Sequence, residues 1–314
     1  MRGLELLEAL LKNKAGLRPR RNVPLCRYSW FRIGGKADLF LEAGSISELT
    51  HAVVSARRAG VPYYIIGSGS NMLFDDRGYR GLVVQNSACS IRFGADEESL
   101  EIESGAPLAG ILQWAAKHNL AGLEFLAGIP GTAGGAFYSN AGAFGRCIAE
   151  VVEYGEVLDL QGEKGRMSPE AFSFGYRFSA LQKHHAVLLG AGLRLAKGDG
   201  KSIRAALTGH MRERRAKHPP RGTACAGSYF KNPPGDAGRR VPAGQLLERS
   251  GARGLKVGDA AVSDIHCNFI VNLGRAKAGD VLILAEELRD RVFRTCGILL
   301  EEEVIYLRED ASMP

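Results

Sequence analysis

The sequence predicts a two-part α+β protein: a larger first half built to grip a ligand, followed by a smaller α+β unit. Three observations carry that prediction. The 314-residue length suits two domains, or one large domain with an appendage, and is enough to bury a sizeable core. Strand-like and helix-like segments alternate throughout, without repeats or low-complexity tracts. Two glycine-rich turns, GSGSN (67–71) and GLEFLAGIPGTAGGAFYSNAGAFG (122–145), each leave a regular element in the first half. Glycine in such numbers lets backbone N–H groups approach a ligand closely, and consecutive N–H groups form concave anion sites.

Composition narrows the class. Forty glycines are too many for a plain helical bundle. The net charge of +7 points to acidic partners: nucleic acid, an anionic membrane surface or small phosphorylated molecules. The six cysteines stand far apart with no C-x-x-C pair, which argues against a zinc knuckle and a disulfide framework. Glu5 and Glu8 interrupt the N-terminal leucines, so that stretch is an amphipathic helix (Leu4, Leu7, Leu11) rather than a signal peptide. No apolar run is long enough to span a bilayer, and a cytoplasmic protein without membrane insertion is expected.

Taken in order, Arg18 to Arg27 is basic and irregular, an extended lead-in. A Gly34–Gly35 turn then precedes a strand ending near Glu42. Ile46 to Ala59 has helical spacing, opened by Ser45 or Ser47 and closed by Gly60. Val61 to Ile66 is a buried strand that runs into GSGSN. A strand ending in G-x-G invites the dinucleotide fingerprint, but the third glycine would fall at Met72 and no helix follows, so a nicotinamide Rossmann site is rejected. What survives is a phosphate-gripping turn between two strands. Strands around Ile91 and Leu100–Glu103 follow, and Pro107 opens a helix with Leu108, Ile111, Leu112 and Ala115 on one face. That helix delivers the chain into the long glycine-rich run, where the crowding of glycines predicts neither helix nor ordinary strand. Two such turns suggest two grips on one elongated cofactor.

Beyond it lie strands in EVVEYGEVLDL and AVLLGAGLRLA, then a basic helix over Lys201–Lys217 with Ile203, Leu207 and Met211 inward, stopped by Pro219 and Pro220. The domain boundary is placed just before that helix, giving 1–199 and 200–314. The second unit holds a helix near Gln245–Arg249, a strand in CNFIVN, a helix over Asp280–Cys296 capped by Gly297, and a last strand, ILLEEEVIYL.

Four places offer chemistry. Arg177, beside Tyr176, is either an ordinary surface charge or a clamp whose planar fork of donors suits a carboxylate. Ser228, in AGSYFKNPP with Lys231 and Asn232 close behind, is either a turn serine or a hydroxyl positioned to donate a proton. In the last strand, alternation puts Glu301 and Glu303 on one face with Ile305 and Leu307. A glutamate there is either solvated or paired and functional. His266 is by default structural. Neither H-E-x-x-H nor G-x-S-x-G occurs, so a metal site and a hydrolase of that kind are not expected.

Together these motifs resemble the UDP-N-acetylenolpyruvoylglucosamine reductases, the UDP-N-acetylmuramate dehydrogenase (MurB) family of bacterial cell-wall synthesis. FRIGG, GSGSNMLFDDRGYRG, the long glycine run, YRFS, GSYFKNP, VSDIHCNFIVN and LEEEV occur in the family's order from about Tyr28 to Leu307. The resemblance implies an FAD-binding domain of the PCMH, vanillyl-alcohol-oxidase-like type, then a substrate-binding α+β domain. It implies FAD as cofactor, NADPH as co-substrate, and reduction of the enolpyruvyl ether of UDP-N-acetylglucosamine enolpyruvate in peptidoglycan synthesis. By position, Arg177 matches the family's active-site arginine, Ser228 its proton donor and Glu303 its glutamate near the C-terminus. Gly67, Ser68, Gly69, Ser70 and Asn71, with Ile129, Gly131, Gly134 and Gly135, would hold the cofactor; Tyr176, Lys231, Asn232 and His266 would contact substrate. Ala133, Arg253 and Glu302 depart from the usual valine, lysine and proline, and none is a proposed catalytic position. Short connections after Arg177 and Asn232 resemble the subclass without the tyrosine loop that covers substrate. Two other readings stand beside this one: a same-fold FAD-dependent alcohol oxidase, and a nucleic-acid binder built on the basic helix, against which the lack of interleaved exposed aromatics argues.

Overall fold

Two apolar faces on a short parallel sheet organise the first half. In this computed structural model, residues 2–15, 17–183, 185–235 and 239–310 are described. Up to the central run the elements are α1 (Arg2–Ala15), β1 (Arg20–Pro24), β2 (Lys36–Ala43), α2 (Ile46–Ala59), β3 (Tyr63–Ile66), β4 (Met72–Phe74), β5 (Tyr79–Asn86), β6 (Ile91–Phe93), β7 (Ser99–Glu103), α3 (Leu108–Lys117) and β8 (Leu120–Ala121). There follow α4 (Ala133–Tyr138), β9 (Gly142–Ala143), β10 (Arg146–Cys147), β11 (Val152–Leu158), β12 (Lys164–Met167), β13 (Val187–Arg194), β14 (Ala196–Lys197) and α5 (Gly200–Lys217). The remainder holds α6 (Ala243–Arg249), β15 (Lys256–Val257), β16 (Ala260–Val262), β17 (Ile270–Asn272), α7 (Ala278–Cys296) and β18 (Ile305–Leu307).

The first sheet has the order β1-β2-β5-β3, with β2, β5 and β3 parallel and β1 antiparallel at the edge. Strands covered on both faces read as continuous apolar runs. Leu39, Leu41, Leu82 and Val84 face α1 and α2, while Phe40, Val83, Tyr64 and Ile66 face a second core with Leu25, Phe74 and Tyr79. The α2 ends follow local rules: the Ser45 hydroxyl accepts from the Glu48 N–H at 3.2 Å, and Gly60 closes the helix at φ +62°. The second sheet, β12-β11-β13-β7-β6, is wholly antiparallel and carries α3 and the glycine-rich run on its core.

Three expectations need correction. The lead-in is not irregular: Arg20–Pro24 is an edge strand paired to β2, with exposed arginines outward and Val23 inward. The long glycine run does contain a helix, α4, because its glycines serve close approach rather than helix breaking. The Gly134 N–H donates to the Ser104 carbonyl at 2.7 Å, and a Cβ there would sit 3.0 Å from that oxygen. The last strand is only Ile305–Leu307. Before it the chain bends at Val304, so Glu301 and Glu303 do not share an environment; their side chains are 74% and 20% exposed.

The basic helix α5 is capped by Asp199, whose carboxylate accepts from the Ser202 N–H at 2.8 Å. Its inward residues Ile203, Leu207 and Met211 pack on or beside the first-half core around Leu123, Phe125 and Leu126. The second core gathers Leu246 and Leu247 of α6, Val281, Leu284, Leu288 and Val292 of α7, and the small β15-β16-β17 sheet. The two halves interlock there. Phe31, Ile33 and Leu73 enter the second core, β18 pairs in parallel with β4, and the Asp76 carboxylate accepts from the first N–H groups of α7, Ala278 at 2.9 Å and Gly279 at 3.3 Å.

Candidate active site

The glycine-rich turns, far apart in sequence, meet edge to edge where β3 ends and α4 begins. A Cβ on Gly67 would collide with the Thr132 hydroxyl, and Ser70 Oγ donates to the Pro130 carbonyl at 3.3 Å. Gly69 has φ +66°, its carbonyl accepts from the Trp30 N–H at 3.1 Å, and a Cβ there would overlap the Tyr28 carbonyl oxygen. Only glycine fits that spot. The turns floor a cavity of about 430 Å³, within the usual range for a small-molecule or cofactor site. All nine residues expected to hold the cofactor (Gly67, Ser68, Gly69, Ser70, Asn71, Ile129, Gly131, Gly134 and Gly135) line it. The buried Ser68 hydroxyl has no hydrogen-bond partner among the described residues. A buried polar atom is rarely left so unless a ligand or water completes it. The donors therefore fit a flavin nucleotide.

Arg177, Ser228 and Glu303 line the same cavity from three directions. Arg177 sits in a tight Gly175–Phe178 turn with φ +53°, uncommon for a side-chain-bearing residue. Its Nε lies 2.7 Å from Glu303 Oε1, yet that N–H is not aimed at the oxygen, so the contact is charge on charge rather than a directed hydrogen bond. Glu303 is fixed by its backbone: its N–H donates to the Tyr229 carbonyl at 2.8 Å, and its carbonyl accepts from Asn71 Nδ2 at 3.0 Å. Burial pushes the Glu303 carboxyl above its ordinary value, while Arg177 and then Lys231 pull it part of the way back. Ser228 follows Gly227 at φ +81° and faces the cavity as part of its lining. The segment after it is locked by Asn268, whose side chain accepts from the Phe230 N–H at 2.9 Å and donates to the Phe230 carbonyl at 2.8 Å.

Among the lining residues that sequence reasoning missed are Arg214 and His218. The signal was available: Ile203, Leu207, Met211, Arg214 and His218 continue one inward stripe of α5 and its end. Arg214 Nε is buried without a partner among the described residues. Burial and then the Arg177 charge draw its pKa below the ordinary arginine value. Burial, then the Arg214 charge, lowers His218 to about 4, which keeps its imidazole neutral.

The expected substrate contacts divide. Tyr176 is half-exposed beside Arg177, and its hydroxyl accepts from the Asn232 N–H at 3.2 Å. The Arg240 guanidinium lies 3.5 Å over the Tyr176 ring and donates to the Asn232 carbonyl at 2.9 Å. Asn232 Oδ1 accepts from the Ala243 N–H at 2.9 Å, and Lys231 pairs with Glu301. Tyr176 directly precedes Arg177, and Lys231 and Asn232 closely follow Ser228, but none of the three lines the cavity. His266 is not brought there: it fronts a separate groove with Lys217 and Gln245, its ring 5.8 Å behind that of His218. Among the described residues no group of three or more His, Cys, Asp or Glu is placed to hold a metal. No helix among them is long and apolar enough to cross a membrane.

Comparison with known proteins agrees with this geometry. Residues 37–168 match the family described as FAD binding domain, and residues 219–307 match UDP-N-acetylenolpyruvoylglucosamine reductase, C-terminal domain. A UDP-N-acetylenolpyruvoylglucosamine reductase from Rubrobacter xylanophilus is 42% identical over 282 residues, covering 90% of this chain and 92% of that protein. UDP-N-acetylenolpyruvoylglucosamine reductase 2 from Symbiobacterium thermophilum is 39% identical over 300 residues, covering 96% and 95%. The crystal structure of the Thermus caldophilus reductase (MurB) superposes with a TM-score of 0.77 at 34% identity, over 92% of this chain and 99% of that one. The α+β fold expected from the motifs, an FAD-binding domain and then a smaller domain, is the one found. On these relatives and this cavity, the chain belongs to the UDP-N-acetylenolpyruvoylglucosamine reductase family.

Proposed function

We propose that this protein reduces the enolpyruvyl ether of UDP-N-acetylglucosamine enolpyruvate to UDP-N-acetylmuramate with NADPH, using Arg177, Ser228 and Glu303 around one cavity. The observation that carries this reading is the convergence of those three side chains over two abutting glycine-rich turns. No side chain donates hydride; FAD, when bound, would supply the hydride chemistry that links NADPH to the substrate. Gly67–Asn71, Ile129, Gly131, Gly134 and Gly135 would hold the cofactor, and the unpartnered Ser68 hydroxyl and Arg214 cation would offer it donors.

Hydride addition at the terminal carbon pushes negative charge toward the substrate carboxylate. Arg177 binds that carboxylate and stabilises the enolate-like state, while Glu303 holds the guanidinium in place. Ser228 delivers the proton to the carbon bearing the carboxylate, and the nearby Lys231 ammonium helps a weak acid do so. Tyr176, Lys231 and Asn232 contact the polar parts of the substrate; His266 acts at most through His218. We also propose that the division between domains falls after α5, near His218–Pro219, because α5 packs on the first core. Six free thiols suit the reducing cytoplasm as the site of action.

The test is stoichiometric. With limiting NADPH, the purified protein should consume one UDP-N-acetylglucosamine enolpyruvate per NADPH without oxygen uptake. Hydrogen peroxide formed from an alcohol, with the UDP-sugar untouched, would instead mark an oxidase.

A further inference from the structure

The turn that presents Arg177 is tied at two of its carbonyls, and one tie is a side chain with no role so far. Gly175 and Phe178 close the turn through two backbone hydrogen bonds, 3.0 Å and 3.3 Å. Arg177, at the second central position with φ +53°, occupies a conformation that glycine or asparagine adopts more readily. The Gly175 carbonyl accepts from Asn140 Nδ2 at 2.8 Å. The Arg177 carbonyl accepts from Gln182 Nε2 at 3.1 Å, and the same amide nitrogen donates to the Tyr138 carbonyl at 2.8 Å. Two carbonyl oxygens facing one amide fix its orientation, since only the NH₂ end satisfies both. Ser179, fully buried, adds a third tie by donating to Tyr138 at 3.0 Å. With both ends of the Tyr176–Arg177 stretch held, the backbone cannot rotate to relieve the positive φ.

We propose that Gln182 is a positioning residue for Arg177, anchoring the guanidinium to the end of α4 and so to the element whose first glycines line the cofactor cavity. The inference rests on the reading of Arg177 as the carboxylate clamp. Removing the Gln182 donors frees the Arg177 carbonyl, and the turn relaxes toward negative φ. The side chain then swings away from Glu303 and from the carboxylate it has to meet. Flavin reduction by NADPH does not use that clamp, so the two half-reactions separate.

The experiment uses flavin-loaded Gln182→Met, which keeps length and burial but donates nothing. Rapid mixing should show reduction by NADPH within about twofold of wild type, and anaerobic reoxidation by the enolpyruvyl UDP-sugar slowed roughly tenfold, as expected for two modest hydrogen bonds. In an Arg177→Met background the same substitution should slow reoxidation no further. Equal slowing of both half-reactions, or an undiminished tenfold effect in that background, would overturn the proposal. If Gln182→Met fails to retain flavin, Gln182→Asn, whose amide falls short of both carbonyls, is measured in its place. Loss of flavin from both variants would assign Gln182 to folding and end the inference. Arg177→Met alone tests the clamp: unchanged reoxidation there would sink that reading whatever Gln182 does.

Discussion

Replacing Arg177 with Met should leave Glu303 buried without its main counter-charge. Breaking a fully buried ion pair from one side costs about 3–5 kcal/mol. Here the side chains are 23% and 20% exposed and Lys231 remains nearby, so the expected loss is roughly half that, about 2 kcal/mol near pH 8. The sign of its pH dependence follows from burial. Glu303 already titrates above its ordinary value in the folded protein, so the wild type loses stability as pH rises from the ordinary carboxylate range through that higher value. Without Arg177 the folded value moves higher still, so the deficit widens with pH and shrinks as pH falls into the ordinary carboxylate range and below, where the carboxyl is protonated in both folded proteins. Denaturant titrations of both proteins across that range read this directly. Hydride transfer to the UDP-sugar should fall about 10²–10³-fold, the usual effect of deleting a group that stabilises transition-state charge. A stability deficit that is flat with pH, or transfer at the wild-type rate, would refute the reasoning.

Three further outcomes are expected. Ser228→Ala should keep flavin reduction by NADPH and lose most turnover of the UDP-sugar in single-turnover mixing; equal loss in both half-reactions would make Ser228 structural. Gly69→Ala adds a Cβ at φ +66° against the Tyr28 carbonyl oxygen, so roughly 2–4 kcal/mol of stability and most bound flavin should be lost, read by melting and absorbance. His218 titrates near 4 when folded but takes up a proton at its ordinary value when unfolded, so it withdraws stability as pH falls from about 6.5 toward 4. His218→Phe should flatten that part of the stability profile, and an unchanged profile would contradict the burial argument.

Local signals were legible in the sequence and tertiary ones were not. Ser45, one of the two opening serines considered, and Gly60 bracketed α2 because caps act within a few residues, and Gly297 marked the end of α7 for the same reason. Both glycine-rich turns were read as cofactor grips, and all nine of the residues expected there line one cavity. The helix inside the second turn was not, since Gly134 is there to approach Ser104, a neighbour the local sequence does not name. Alternation treated Glu301 and Glu303 alike, but the Phe230–Glu302 bridge and the bend at Val304 turn only Glu303 inward. Arg214 and His218 were hidden by the charge of α5: a basic helix reads as solvated even where its apolar stripe continues into a cation and an imidazole. For His266, sequence position gave no depth, and the ring lies one layer behind the cavity wall.

The most direct test is a single turnover watched through the flavin band. Protein reduced with one equivalent of NADPH under anaerobic conditions should recover its yellow colour only when the enolpyruvyl UDP-sugar is added, with UDP-N-acetylmuramate formed in equal amount. Protein that carries no flavin, or reduced flavin that the UDP-sugar leaves bleached, would contradict the account.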